Sequence, residues 1–324
     1  MLGQGSRRAL APPRWRRQHW QAPVVLGVGS ALALTAIAFA ASRVLAIAPL
    51  WQIGLAMALY LAAHALRALR LAVLASVMLG ISVRSAVLMH FVTAPAVLLV
   101  PFKLGELARL QQLWLTGKHF SGALVVLIIE RALDAVMLMV LILWLLRAGD
   151  AAAASTLLLL IQGALLAGLV LFLVGPRLIA GLQRYIVVNH MHPASLRVLP
   201  HIDVIRRNVA AGGGLLRVHG AVLVLSTVLI WTLELLAIRQ FAEYAADPAL
   251  QSADALLLGR ITEEWRLLFG QVLDPALIAS SAVNILVLAL IWLPAALVYL
   301  PRMRAEPRRR AATEHRALHS DVRA

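Results

Sequence analysis

The sequence predicts an all-α polytopic membrane protein with about six full transmembrane helices and at least one re-entrant segment, residues 85–116. Three observations predict it. The composition is 61% hydrophobic and only 14% charged over 324 residues, and the mean hydropathy is +0.85, more apolar than a soluble domain of this size. Six runs, 24–42, 50–66, 121–146, 155–175, 219–238 and 276–299, are long enough to cross a hydrocarbon core about 30 Å thick. Lys and Arg then fall overwhelmingly on one side of those runs.

The elements follow in chain order. Residues 1–23 form a basic cytoplasmic N-terminus, and the first apolar run, VVLGVGSALALTAIAFAAS, follows it. That run contains Ala-Phe-Ala, as a cleaved signal peptide would. Its 19 residues exceed a typical signal core and further spans follow, so it reads as an uncleaved helix. The run 85–100 is short, carries Pro95 and ends at Pro101, the pattern of an interrupted, re-entrant segment. Residues 24–300 constitute one transmembrane domain, and 301–324 a basic, disordered cytoplasmic tail.

The charge count supports this arrangement. With both termini in the cytoplasm of a multi-pass inner-membrane protein, 24 of the 30 Lys and Arg lie inside and five outside, with Arg131 alone within a span. Treating 85–100 as a full crossing would put Lys103, Arg109 and Lys118 outside and invert everything downstream. The long connection 177–218 alternates apolar residues with Arg and reads as interfacial amphipathic helices, with Gly212–Gly214 as a flexible joint.

Two stretches place charge where a membrane protein ordinarily avoids it. In IIERALDAVMLMVL, Glu130, Arg131 and Asp134 lie about 14–20 Å along a helix starting near Ser121 and share an arc of about 100°. Facing lipid, each would cost about 2.5–3.5 kcal/mol, so they face protein or water. They form either a buried ion-pair cluster that fixes helix register or the polar lining of a head-group or proton path. One negative charge remains after Arg131 pairs with one carboxylate, to be met by a proton or by an Arg from a neighbouring segment. The second stretch, VPFKLGELARLQQLW, carries Lys103, Glu106 and Arg109 around Gly105. Pro101 breaks one helix and starts the next, and a helix start flanked by Lys and Arg suits a phosphate. Its plainer alternative is an ordinary cytoplasmic loop.

The pairing of P-x-x-x-G-E-x-x-R with a downstream E-R-x-x-D inside a span resembles the lysylphosphatidylglycerol synthase transmembrane-region family, also described as flippase-like. The resemblance covers roughly residues 24–300 and is sharpest over 95–146. It implies a polytopic protein that moves lipids or lipid-linked sugars between leaflets. By position, Pro101, Gly105, Glu106 and Arg109 match the first motif, and Glu130, Arg131 and Asp134 the second. Arg67 and Arg70 resemble the family's basic pair, or serve only as positive-inside anchors. The family's later Pro-Gly-Gly turn is missing from LLLGRITEEWRLLFGQVLDPALIASS, which keeps Glu263, Glu264 and Asp274-Pro275. A weakened copy there, outside while the first motif lies inside, would make a weak inverted repeat. No soluble aminoacyl-transferase domain is expected, so lysyl transfer is not expected of this chain alone.

The leading expectation is a non-enzymatic lipid translocator. Lys103, Gly105, Glu106 and Arg109 gather an anionic or sugar-linked lipid head group, and Glu130, Arg131 and Asp134 line its path. The alternatives are a membrane enzyme, with His190, His192, His201 and Asp203 as its sole candidate cluster, and an accessory subunit docking an envelope-biosynthesis enzyme through 177–218. No cofactor or resident metal is expected: Cys is absent, and the histidine spacing matches no metal motif. Nucleic acid is not an expected partner, because the basic residues gather on no soluble domain. His64 and His90 read as structural groups or proton relays, and Glu234 lacks an evident partner.

Overall fold

Long apolar runs in a medium without water must satisfy their backbone internally, and helices do so within one segment. A computed structural model describes residues 21–99, 105–147, 162–163, 165–168, 170–172, 174–189, 192–246, 248, 251–252, 255–257, 259 and 274–321, and no strand occurs among them. The main helices are α1 (Gln21–Leu45), α2 (Leu50–Leu79), α3 (Val83–Leu99), α4 (Gly105–Gly117), α5 (Phe120–Arg147), α6 (Gly175–Asn189), α7 (Pro193–Arg239) and α8 (Pro275–Asp321). The chain is thus all-α among its described residues.

Three helical stretches, Leu50–Leu79, Leu196–Arg239 and Pro275–Tyr299, are long and apolar enough to cross a membrane. Helix α5 has the length, at 28 residues, but every 18-residue window in it holds Glu130, Arg131 and at least one further charged residue. Its own ionised side chains set it apart from the other three. A fourth candidate is the stretch Leu165–Phe172 joined to α6 across a bend of 58°. Of the predicted 155–175 run, residues 155–161, 164, 169 and 173 lie outside the described residues.

Several boundaries differ from expectation. Helix α2 does not stop at residue 66 but continues to Leu79, so Arg67 and Arg70 sit inside a helix and are not loop anchors. Gly80 ends it with φ 63°, a left-handed conformation that glycine adopts without Cβ strain. The Gly80 and Ile81 amides then donate to Ser76 and Ala75 carbonyls, satisfying the helix's last acceptors. At the other end of the chain, α8 is helical to Asp321, where the sequence predicts a disordered tail from residue 301.

The expected joint at Gly212–Gly214 is likewise absent, because α7 is one continuous helix through it. A Cβ on Gly212 would stand 2.9 Å from both Phe172 and Val125. This glycine lets α7 approach α5 and the 165–172 stretch, and its function is closeness, not flexibility. Asn208 Nδ2 donates to Ser121 Oγ at 2.6 Å across the same α5–α7 interface. Gly29 serves α1 similarly, since a Cβ there would collide with the Trp292 ring of α8.

The packing produces two apolar cores. One joins Ala40 and Val44 of α1, Ile53–Tyr60 of α2, Ala237–Phe241 at the end of α7, and Ala276–Val287 of α8. The other joins Leu71–Ala75 of α2, Ala86 and Met89 of α3, Leu113 of α4, Ala123–Ile129 of α5, and Val209–Leu223 of α7. On α2 the cores are separated by residues 61–70, and on α7 by 224–236. The buried polar side chains His64, Arg70, Thr227 and Glu234 lie in those intervals. The protein therefore carries a polar layer between two apolar ones.

Candidate functional site

The layer is built from five helices. From α2 come Arg67 and Arg70, one helical turn apart on the same face. Helix α5 supplies Glu130, Arg131 and Asp134, α4 supplies Glu106 and Arg109, α3 supplies Thr93, and α7 supplies Thr227 and Glu234. The two sequence motifs thus meet in space.

Glu130 lies at the centre, with its side chain 0% exposed. Arg109 Nη1 reaches its two oxygens at 3.2 and 3.3 Å, Arg131 Nη2 stands at 3.4 Å and Arg70 Nη2 at 3.6 Å. Asp134 is held by Arg70 Nη1 at 2.8 Å and faces Arg131 Nη1 at 3.4 Å. Arg131 Nη1 also faces Glu106 Oε1 at 3.4 Å. Alongside, Arg67 Nη1 donates to Glu234 Oε1 at 2.6 Å. Three guanidiniums meet three carboxylates in the central group, so the surplus negative charge expected on α5 is neutralised by arginines from α2 and α4. That is the Arg of a neighbouring segment; no bound proton is needed to balance the charges.

Two threonines tune this arrangement. The Thr93 hydroxyl donates to the Met89 carbonyl at 2.9 Å, and that of Thr227 donates to Leu223 at 2.7 Å. With their protons so committed, their oxygens present lone pairs: Arg109 Nε donates to Thr93 at 3.4 Å, and Arg70 Nη1 donates to Thr227 at 2.9 Å. Intrahelical hydroxyl bonds convert two donors into oriented acceptors.

The network has a tight side and a loose side. Arg70 is 0% exposed and bonded at 2.8 Å to Asp134. Arg131 is 36% exposed, its Nε has no hydrogen-bond partner, and neither oxygen of Glu106 makes a hydrogen bond. Arg131 meets Glu106, Glu130 and Asp134 at 3.4 Å each, longer than the Arg70–Asp134 bond, so an anion arriving at Arg131 would displace no well-formed hydrogen bond.

The remaining expected residues are placed as follows. Gly105 is the first residue of α4 and is buried. Pro101, Lys103, Glu263, Glu264 and His190 lie outside the described residues. His64 Nε2 is 2.8 Å from Asn284 Oδ1 of α8, which ties it to packing. His90 is 1% exposed, with its ring 5.9 Å from that of His64. Asp203 is engaged by Arg206 and Arg207, at 2.8 and 2.9 Å, and the His201 ring lies 3.2 Å from the Arg197 carbonyl. Among the described residues, no three His, Asp or Glu side chains gather as a metal site would require.

Sequence reasoning missed the roles of Thr93 and Thr227 and the Arg67–Glu234 pair. The available signal was spacing: His64, Arg67 and Arg70 recur at i, i+3 and i+6 within an apolar pattern that runs on to Leu79. No family model, curated protein or solved structure matches the chain.

Proposed function

We propose that this protein is a lipid or lipid-linked head-group translocator of the cytoplasmic membrane, of the flippase-like kind its two motifs resemble. The observation that carries the reading is the convergence of Glu106 and Arg109 with Glu130, Arg131 and Asp134 in one buried ion network. Ionisable groups at membrane depth are costly and commonly mark substrate paths. A head-group phosphate would enter at Arg131, exchange with Glu106, and pass along guanidiniums already desolvated and oriented. The balanced charge of the resting network lets it close behind the cargo.

The finer architecture belongs to the same proposal: about six spans, α3 and α4 as the re-entrant segment, both termini cytoplasmic, and a weak inverted repeat. The Arg109–Thr93 contact supports a hairpin of α3 and α4 that brings the first motif back into the fold. Helix α7, at 47 residues, is about 70 Å long, more than twice the hydrocarbon thickness. Its half carrying Arg197, Arg206, Arg207 and Arg217 then projects into the cytoplasm. Amphipathic α6, exposing Leu178 and Val188, lies at the interface beside it.

Leaflet exchange of a labelled phospholipid in reconstituted vesicles tests this function. Glu130→Gln and Asp134→Asn, whose amides keep the shape and hydrogen-bonding capacity of the carboxyls, should abolish exchange in the fraction that retains helical circular dichroism and monodispersity, although both are less stable than wild type. Exchange at the wild-type rate in both would remove these residues from the path.

A further inference from the structure

Away from the ion network, two cavities near the end of α7 share one lining residue, Arg239. One, of about 630 Å³, is lined by polar groups that include Gln52, Gln240, Glu243, Gln251 and Ser252, together with Arg239. The other, of about 550 Å³, runs between α5 and α7 and is walled by Met137, Val140 and Trp144 facing Trp231 and Leu235, again with Arg239. Both volumes lie in the range of ligand sites, roughly 300–1,000 Å³. A helix-terminal arginine alone is unremarkable, because the macrodipole favours a cation there. What distinguishes Arg239 is that it lines both cavities, at the boundary between a polar and an apolar compartment.

That division matches an amphiphile. Among the described residues, the polar cavity offers one guanidinium and one carboxylate beside neutral amides and a hydroxyl, so a head group carrying one charge of each sign fits it better than a simple anion or cation. Glu243 stands ready as the negative partner: Gln52 Nε2 donates to it at 2.7 Å, which holds its carboxyl below the usual range. Gln52 is itself held by the Tyr244 hydroxyl at 2.7 Å. The apolar groove accepts a hydrocarbon chain.

We propose that this junction binds a zwitterionic phospholipid of the phosphoethanolamine class, with its phosphate on Arg239, its ammonium on Glu243 and an acyl chain between Trp144 and Trp231. The site is separate from the ion network and needs only the membrane setting, so it stands or falls independently of the translocation path.

The test uses the full chain in phosphatidylcholine vesicles doped, at equal mole fraction, with phosphatidylethanolamine, phosphatidylglycerol or phosphatidylcholine carrying brominated chains, and reads tryptophan quenching. Brominated phosphatidylethanolamine should quench beyond the other two. The excess should vanish in Trp144→Phe/Trp231→Phe and in Arg239→Ala, while Glu243→Gln should lose the preference over phosphatidylglycerol and keep quenching by both. Arg239 and Glu243 are exposed, so these substitutions leave the fold intact. Equal quenching by all three lipids, stronger quenching by phosphatidylglycerol, or an excess that survives Arg239→Ala would overturn the assignment.

Discussion

Arg109 Nη1 lies 3.2 Å from Glu130 Oε1, joining the first helix turns of α4 to the middle of α5. This contact unites two motifs that are separate in sequence, and it does so where both side chains are nearly or wholly out of solvent.

Removing one member should therefore be costlier than removing both. Glu130→Met leaves the arginines one positive charge in excess, and Arg109→Met leaves one negative. Loss of one partner from a buried pair costs about 3–5 kcal/mol. The double variant Arg109→Met/Glu130→Met restores equal numbers, Arg70 and Arg131 against Glu106 and Asp134. Thermal unfolding in detergent should show it nearer to wild type than either single variant; additive losses would mean the two side chains do not interact.

Water should reach Arg131 but not its central neighbour. The chain contains no Cys, so single cysteines report without background. Arg131→Cys should react with a membrane-impermeant maleimide, whereas Glu130→Cys, at a position 0% exposed, should stay unlabelled. Failure of Arg131→Cys to react would place that side chain against lipid.

Gly212 and Gly214 should respond oppositely to alanine. A Cβ at 212 meets Phe172 and Val125, while at 214 it meets nothing within 4 Å. Gly212→Ala should destabilise by about 1–3 kcal/mol through overpacking. Gly214→Ala should be neutral or stabilise by up to about 1 kcal/mol through helix propensity. Melting curves decide it, and equal responses would favour a flexible joint after all.

The α5–α7 interface predicts a cross-link. Ser121→Cys and Asn208→Cys replace side chains whose polar atoms are 2.6 Å apart, so a short bis-thiol reagent should join them. A gel shift after cleavage of the 148–192 connection reads the result; no covalent linkage between the fragments would separate the helices.

How much of this was legible follows from where each signal resides. The E-R-x-x-D stripe was plain because charge within an apolar run stands out and helical spacing puts it on one arc. The P-x-x-x-G-E-x-x-R segment was plain because proline and glycine interrupt two such runs. Arg67 and Arg70 fall beyond the 50–66 run because a hydropathy run ends at the first arginine, although the helix does not: a partner such as Glu234, 167 residues later on another helix, is invisible locally. The glycine triplet misled for a related reason. Glycine in sequence suggests freedom, and only the neighbouring helix reveals that Gly212 is there for closeness. Thr93 and Thr227 carry no charge to mark them, and their value comes from the guanidinium each faces.

The most direct measurement is leaflet exchange by Arg109→Met/Glu130→Met, the variant whose charge balance should let it fold. If the ion network is the head-group path, this folded protein exchanges labelled phospholipid no faster than empty vesicles, while wild type exchanges it readily. Wild-type exchange by the folded double variant would contradict the account, leaving the network a structural lock and the lipid path elsewhere.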